Sequence, residues 1–304
     1  MLDSGPAQRS SRYVLLLARS ATSALLFLLM ASAAAAAERF EQGLLWRIEV
    51  PGAASSYLFG TMHSDDPGVV RLAAPVSSAF ERSQALVLEV TLDEQSLLAV
   101  SAALVFGEGR TLASVVGPDL FRRSVLALAE QGLPESLVMK MKPWAVAVTL
   151  MKPPTGDGEV LDHALYRMAR SAGKPVSGLE TVAEQIAVFE GLALQDQVTL
   201  LRDTLDNRED IQLMLAALRQ AWLQRDLERL MKINEASLKD VDPELAAMFR
   251  QRVIDDRNHV MAQRMEAALR AGNRFIAVGA LHLPGRHGLL QLLSERGYRV
   301  TPLY

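Results

Sequence analysis

The sequence predicts an α/β fold, a mixed central sheet with surrounding helices, and three observations predict it. Short apolar runs rich in β-branched and aromatic residues sit at both ends of the chain, bounded by glycine and proline. Between them the apolar residues recur with the helical period of 3.6. No tandem repeat at a fixed period points to a solenoid or array. Strands and helices that each carry one apolar face bury it by packing in layers.

The first 37 residues read as a targeting segment rather than as fold. Arg9, Arg12 and Arg19 precede "SATSALLFLLMASAAAAA", which ends in small residues before Glu38. That is the order of a secretory signal peptide. The rival is an uncleaved membrane anchor, because the 18 uncharged residues Ser20 to Ala37 approach spanning length. The expectation is an exported protein, periplasmic or extracellular, with a mature chain of residues 38–304 and no further membrane span.

Strands follow at "LLWRIEV" (44–50), "SSYLFG" (55–60) and "ALVLEV" (85–90), then "KPVSGLE" (174–180), "RFIAVGA" (274–280) and "YRVTPLY" (298–304). Helices are expected at "PDLFRRSVLALAEQG", which stops at Gly132, and at "VLDHALYRMARSAG", which stops at Gly173. Residues 209–236 read as one long amphipathic helix. Residues 243–272 read as another, with Pro243 in its first turn and Gly272 at its end. "MKMKPWAVAVTLMK" (139–152) is apolar enough for a buried helix or a pocket wall. "KPPTGDGE" (152–159) is the best candidate for a hinge within one domain spanning 38–304.

Composition removes several function classes. The chain has no cysteine, which excludes thiolate catalysis, zinc–cysteine clusters and a lipoprotein anchor. A formal net charge of −3 argues against nucleic acid as a partner. No phosphate-cradling glycine loop, Gly-x-Ser-x-Gly elbow or His-Glu-x-x-His helix occurs. The expected partner is a peptide or small-molecule substrate.

Four residues share one geometry. His63 follows "YLFGTM", His282 follows "FIAVGAL", Glu89 ends "ALVLE" and Glu180 ends "KPVSGLE". Each lies at or just beyond the carboxyl end of an expected strand, where open α/β sheets place their sites. Gly60 and Gly279 precede the two histidines by three residues and would permit a sharp turn or a close ligand. Two imidazoles and a carboxylate can hold a divalent metal with one position open, and a second carboxylate can take a proton from water. Glu89 sits in an apolar strand, where a carboxylate needs a partner to be buried. Glu180 has a plainer reading: the acid beside a helix that Thr181 and Glu184 cap. Arg257 and Asn258 fall mid-helix, where solvated side chains are the default. His163 reads as a surface or interhelical residue, and His287 as a possible visitor to the site mouth.

"YLFGTMHSDDP", "ALVLEV", "GKPVSGLETVAEQ", "DDRNHVMAQRM" and "FIAVGALHLPGRHGLLQLLSERGYRV" together resemble the TraB/GumN/PrgY family, related to the TIKI proteins. The resemblance implies an erythromycin-esterase/ChaN-like α/β fold and, for TIKI-like members, metal-dependent proteolysis. It implies His63 and His282 as paired metal ligands, with Glu89 grouped beside them and Mn, Co or Zn as the ion. Glu180, Arg257 and Asn258 match further signature positions. Where a Gly-apolar-Asp triplet is expected, the chain reads "GDGEVLD", with Asp157 and Asp162 offset, and neither receives a role.

Three functions are compatible with these residues. One is a metal-dependent hydrolase, most simply a peptidase, with His63, Glu89 and His282 as ligands and Glu180 and Arg257 as catalytic residues, Glu180 the general base. Another is a metal-free esterase-type hydrolase in which a histidine and a glutamate activate water. The third is a non-catalytic binder of a peptide or a haem-like ligand.

Overall fold

The computed structural model describes residues 40–91, 93–152, 158–239 and 243–304. The signal segment, Asp157 and most of the hinge at 152–159 therefore lie outside the described residues. All six expected strands form: β1 (Leu45–Glu49), β2 (Ser56–Thr61), β3 (Ala85–Leu88), β4 (Val176–Gly178), β5 (Arg274–Gly279) and β6 (Arg299–Pro302). They make one mixed sheet in the order β4-β3-β5-β2-β1-β6. The four strands β4, β3, β5 and β2 run parallel, and β1 is antiparallel to both β2 and β6.

The order follows from apolar content. β5 reads "RFIAVG" and is buried on both faces at Phe275, Ile276, Ala277 and Val278, as a central parallel strand must be. Phe275 meets Phe59 of β2 and Phe80, with ring centroids 5.8 and 5.5 Å apart. β4, only three residues long and half exposed, takes the edge.

Helices of seven residues or more are α1 (Ala74–Arg82), α2 (Glu94–Ala103), α3 (Pro118–Ala129), α4 (Pro143–Leu150), α5 (Leu161–Ser171) and α6 (Val182–Glu190). They continue with α7 (Leu194–Asp206), α8 (Arg208–Leu223), α9 (Leu227–Ala236), α10 (Pro243–Arg250), α11 (Asp256–Ala271) and α12 (Leu289–Glu295). One hydrophobic cluster sits on the sheet. A second, centred on Leu112, Trp144, Val146 and Leu201, joins α3, α4 and α7. The apolar segment at 139–152 thus supplies a buried helix, and its last residues, Met151 and Lys152, line a cleft.

Two long helices differ from expectation. The run 209–236 breaks into α8 and α9 at Arg225, whose φ is 60°, and Asp226, whose carboxylate accepts from the Arg229 amide. The apolar stripe continues across the break, so periodicity alone does not reveal it. Between α10 and α11, Gln251–Asp255 forms a π-helical turn. Such a turn re-phases the helix after it, and these bulges recur at functional sites.

Candidate functional site

The carboxyl ends of β2, β3, β4 and β5 form one edge, and the four expected residues all stand on it. Parallel pairing sets Thr61 beside Gly279, so His63 and His282 leave adjacent strands. The β3–β4 pairing continues past the strands, with the Glu180 amide donating to the Glu89 carbonyl at 2.7 Å. Glu89 and Glu180 are neighbours for that reason. The edge opens into a cleft of about 840 Å³ bordered by His63, Glu89, Arg257 and His282. Glu180 is not among its lining residues.

Glu89 is held from three sides. The Gly279 amide donates to Oε1 at 2.6 Å, Arg257 Nη2 to Oε2 at 2.7 Å, and Gln185 Nε2 to Oε2 at 3.2 Å. Burial alone would raise its pKa, but His282, Arg257, the Gly279 amide and His63 outweigh it and hold the carboxyl at about 2. A cation partner was expected for this residue, and the chain supplies one in Arg257. A Cβ at Gly279 would sit 3.3 Å from Glu89 Oε1, a tight contact with an oxygen that the Gly279 amide already holds at 2.6 Å. Gly60 answers to packing rather than to a turn: a Cβ would meet Leu283 Cδ1 at 2.7 Å and Ala280 at 3.1 Å.

His282 is buried in a 3₁₀ turn after β5. Its Nδ1 lies 2.7 Å from Asn258 Oδ1. Asn258 Nδ2 donates to the His287 carbonyl at 2.8 Å, which turns Oδ1 toward His282. Nδ1 must then carry the proton, and Nε2 is left with its lone pair facing Glu89 Oε1 at 3.8 Å. Burial, opposed by the charge of Glu89, pushes the His282 pKa down, so the ring is neutral at pH 7. Asn258 is fully buried, and Arg257 lies in the cleft wall. Neither has the solvated placement that mid-helix residues have by default; both follow the π-turn and reach residues at the sheet edge.

Arg257 joins the two glutamates. Its Nε donates to Glu180 Oε1 at 2.9 Å and its Nη2 to Glu180 Oε2 at 2.6 Å, while Nη1 reaches the Val253 carbonyl at 3.1 Å. The guanidinium has five N–H groups, so one Nη1–H has no acceptor among the described residues. The capping box expected beside Glu180 forms between Thr181 and Glu184. Glu180 itself stands outside that helix, its side chain 3% exposed against Arg257.

His63 is the most open of the group, with its side chain 66% exposed. Its Nδ1 is 3.4 Å from Asp162 Oδ2, and Asp162 Oδ1 accepts from Thr61 Oγ1 at 2.9 Å. Oδ2 is buried and has no hydrogen-bond donor among the described residues. Asp162 and Gln185 are the site residues that sequence reading leaves without a role. The signal for Asp162 was an acid at the start of a helix whose cap position is Val160, which cannot cap. His287 contributes its carbonyl, with its ring packed 5.9 Å from His259.

The donor chemistry suits a divalent ion: nitrogen and oxygen, no sulfur, a neutral imidazole with a free Nε2, and an orphaned carboxylate oxygen. His282 Nε2 and Glu89 Oε1 stand 3.8 Å apart, and both would hold such an ion. Among the described residues, no three such side chains are gathered closely enough to coordinate as placed. The second ring, His63, is turned toward Asp162.

A family model described as the TraB/PrgY/gumN family matches residues 44–302. The chain is 25% identical over 310 residues to metalloprotease TIKI2 of Danio rerio, covering 84% of this chain and 60% of that protein. It is 25% identical over 255 residues to the uncharacterized protein YbaP of Shigella flexneri, covering 81% of this chain and 90% of that one. Metalloprotease TIKI1 of Danio rerio is 23% identical, with 84% and 62% covered. No solved structure matches the chain.

Proposed function

The chain belongs to the TraB/PrgY/gumN family, and from that premise we propose that it is a metal-dependent hydrolase, most simply a peptidase, acting outside the cytoplasm. The observation that carries the proposal is the pairing of His282 Nε2 with Glu89 Oε1, 3.8 Å apart at the floor of an open cleft. The likeness to proteins named metalloproteases supports it. His63, Glu89 and His282 would hold the ion, which when bound supplies positive charge to polarise a scissile carbonyl and acidify water.

The remaining parts fall to the chain itself. Asn258 fixes the His282 tautomer, as outer partners of ligating histidines do. Arg257 borders the cleft with one N–H to spare, a donor placed for an oxyanion or a substrate carboxylate. A general base must reach the cleft, and Glu180 stands behind Arg257 instead. In this proposal Glu180 positions the guanidinium rather than moving a proton. Met62, Met151, Leu215 and Leu281 give the cleft apolar walls that suit an apolar side chain of a peptide.

One observation favours the metal-free reading: Arg257 already provides Glu89 with a cation at 2.7 Å. The test separates the two. Purified protein is stripped with a chelator, reloaded with Mn²⁺, Co²⁺ or Zn²⁺, and incubated with unstructured peptides, with products read by mass spectrometry. Cleavage confined to reloaded protein supports the proposal, and equal cleavage by stripped protein removes the metal from it. Export rests on residues 1–37, and intact mass of the secreted protein should begin near Glu38.

A further inference from the structure

Both histidines have Nδ1 facing a side-chain oxygen. His282 Nδ1 bonds to Asn258 Oδ1 at 2.7 Å and keeps Nε2 free. His63 Nδ1 stands 3.4 Å from Asp162 Oδ2. We propose that Asp162 is the positioning residue of His63: it accepts the Nδ1 proton and so turns Nε2 toward the cleft that Glu89 and His282 share. The proposal rests on the metal reading given above for the purpose of that Nε2, but the contact itself does not.

Three observations carry it. Asp162 lies in the first turn of α5, where a carboxylate ordinarily faces solvent or its own helix end. Here its side chain is only 14% exposed and reaches across to the end of β2. Oδ1 is fixed by the Thr61 hydroxyl at 2.9 Å, which sets the carboxylate plane with Oδ2 on the side of His63, 3.4 Å from Nδ1. Among the described residues Oδ2 is buried without a hydrogen-bond donor, and its 3.4 Å to Nδ1 is longer than a formed hydrogen bond. A buried carboxylate oxygen is costly to leave unpaired, and the imidazole N–H is the donor within reach. The backbone latches the same two segments, with the Leu161 amide donating to the Ser64 carbonyl at 3.3 Å. The start of α5 and the loop carrying His63 are therefore joined by backbone as well as side chain.

The closing experiment has two readouts on the full chain. In metal-free protein, nitrogen NMR of the His63 ring should show the proton on Nδ1 in the parent and in Asp162→Asn, and predominantly on Nε2 in Asp162→Ala. Calorimetric titration with Zn²⁺ should give an affinity about 10–100-fold lower for Asp162→Ala than for the parent, the usual loss when an outer partner of a ligating histidine is removed. Asp162→Asn, which keeps a neutral acceptor, should stay within about threefold of the parent. An unchanged tautomer and unchanged zinc affinity in Asp162→Ala would overturn the assignment. Asp162→Asn as weak as Asp162→Ala would overturn positioning in favour of direct ligation by the charged oxygen. A parent that shows the Nδ1 tautomer but binds no zinc would keep the Asp162–His63 contact and overturn the metal reading behind it.

Discussion

Replacing Arg257 by methionine keeps the apolar stem and removes the charge that joins Glu89 to Glu180. The three side chains are 16%, 16% and 3% exposed, so the two carboxylates would be left as buried like charges with little water to screen them. The magnitude can be reached by two routes. A Glu89 carboxyl held at about 2 instead of its ordinary 4.5 corresponds to about 3 kcal/mol of stability; with His282 neutral at pH 7, Arg257 is the full charge that supplies it there, beside the Gly279 amide. Breaking a buried ion pair by deleting one partner costs about 3–5 kcal/mol. Arg257→Met should therefore cost about 3 kcal/mol at pH 7. The sign of the pH dependence follows. In the parent, the depressed carboxyl contributes stability that is present above 4.5 and is lost as pH falls toward 2. In the variant, burial and mutual repulsion raise the carboxyls, so the fold loses stability as pH rises and regains it on protonation. The cost should be largest at pH 7 and shrink below about pH 4.5. Urea unfolding at pH 7 and pH 4 measures it as a shift in midpoint at unchanged slope. A loss under about 1 kcal/mol at pH 7, or one that is the same at both pH values, would refute the reasoning.

Gly60→Ala drives a methyl group to 2.7 Å from Leu283 Cδ1, and should lower stability by about 1–3 kcal/mol in a thermal melt. Asn258→Leu leaves the His287 carbonyl and the His282 ring without their partner; it should cost about 1–3 kcal/mol and weaken zinc binding about 10–100-fold in a titration. Glu180→Gln should keep bound metal and lose less than about 100-fold in turnover, with the pH–rate profile unchanged. A loss of about 10²–10⁴-fold with the acidic limb gone would return the general-base role to Glu180.

Most strands were legible because they are short apolar runs closed by glycine or proline; "ALVLEV" has neither beside it and was legible from its apolar content, and β5 announces itself as the most apolar of them. The break between α8 and α9 was not, because the apolar stripe runs straight through Arg225, although Asp226 is itself an N-cap residue type. A π-turn has no residue signature of its own, so nothing in "QRVIDDRN" told that Arg257 and Asn258 face inward. Only the family resemblance drew attention to them. The strand-end placement of His63, Glu89, Glu180 and His282 was readable from position alone. Their partners were not. Arg257 lies 168 residues from Glu89, and Asp162 lies 101 from Thr61, so these contacts arise from tertiary packing that no local pattern encodes.

The central claim is that His63, Glu89 and His282 hold one divalent ion at the carboxyl edge of the sheet. Anomalous diffraction from a crystal grown with Mn²⁺ or Zn²⁺ tests it most directly. The account predicts one peak bridging His282 Nε2 and Glu89 Oε1 at roughly 2.0–2.2 Å from each, with the His63 ring turned onto it. A peak elsewhere, such as between His259 and His287, or none in a crystal that holds the cleft open to solvent, would contradict it.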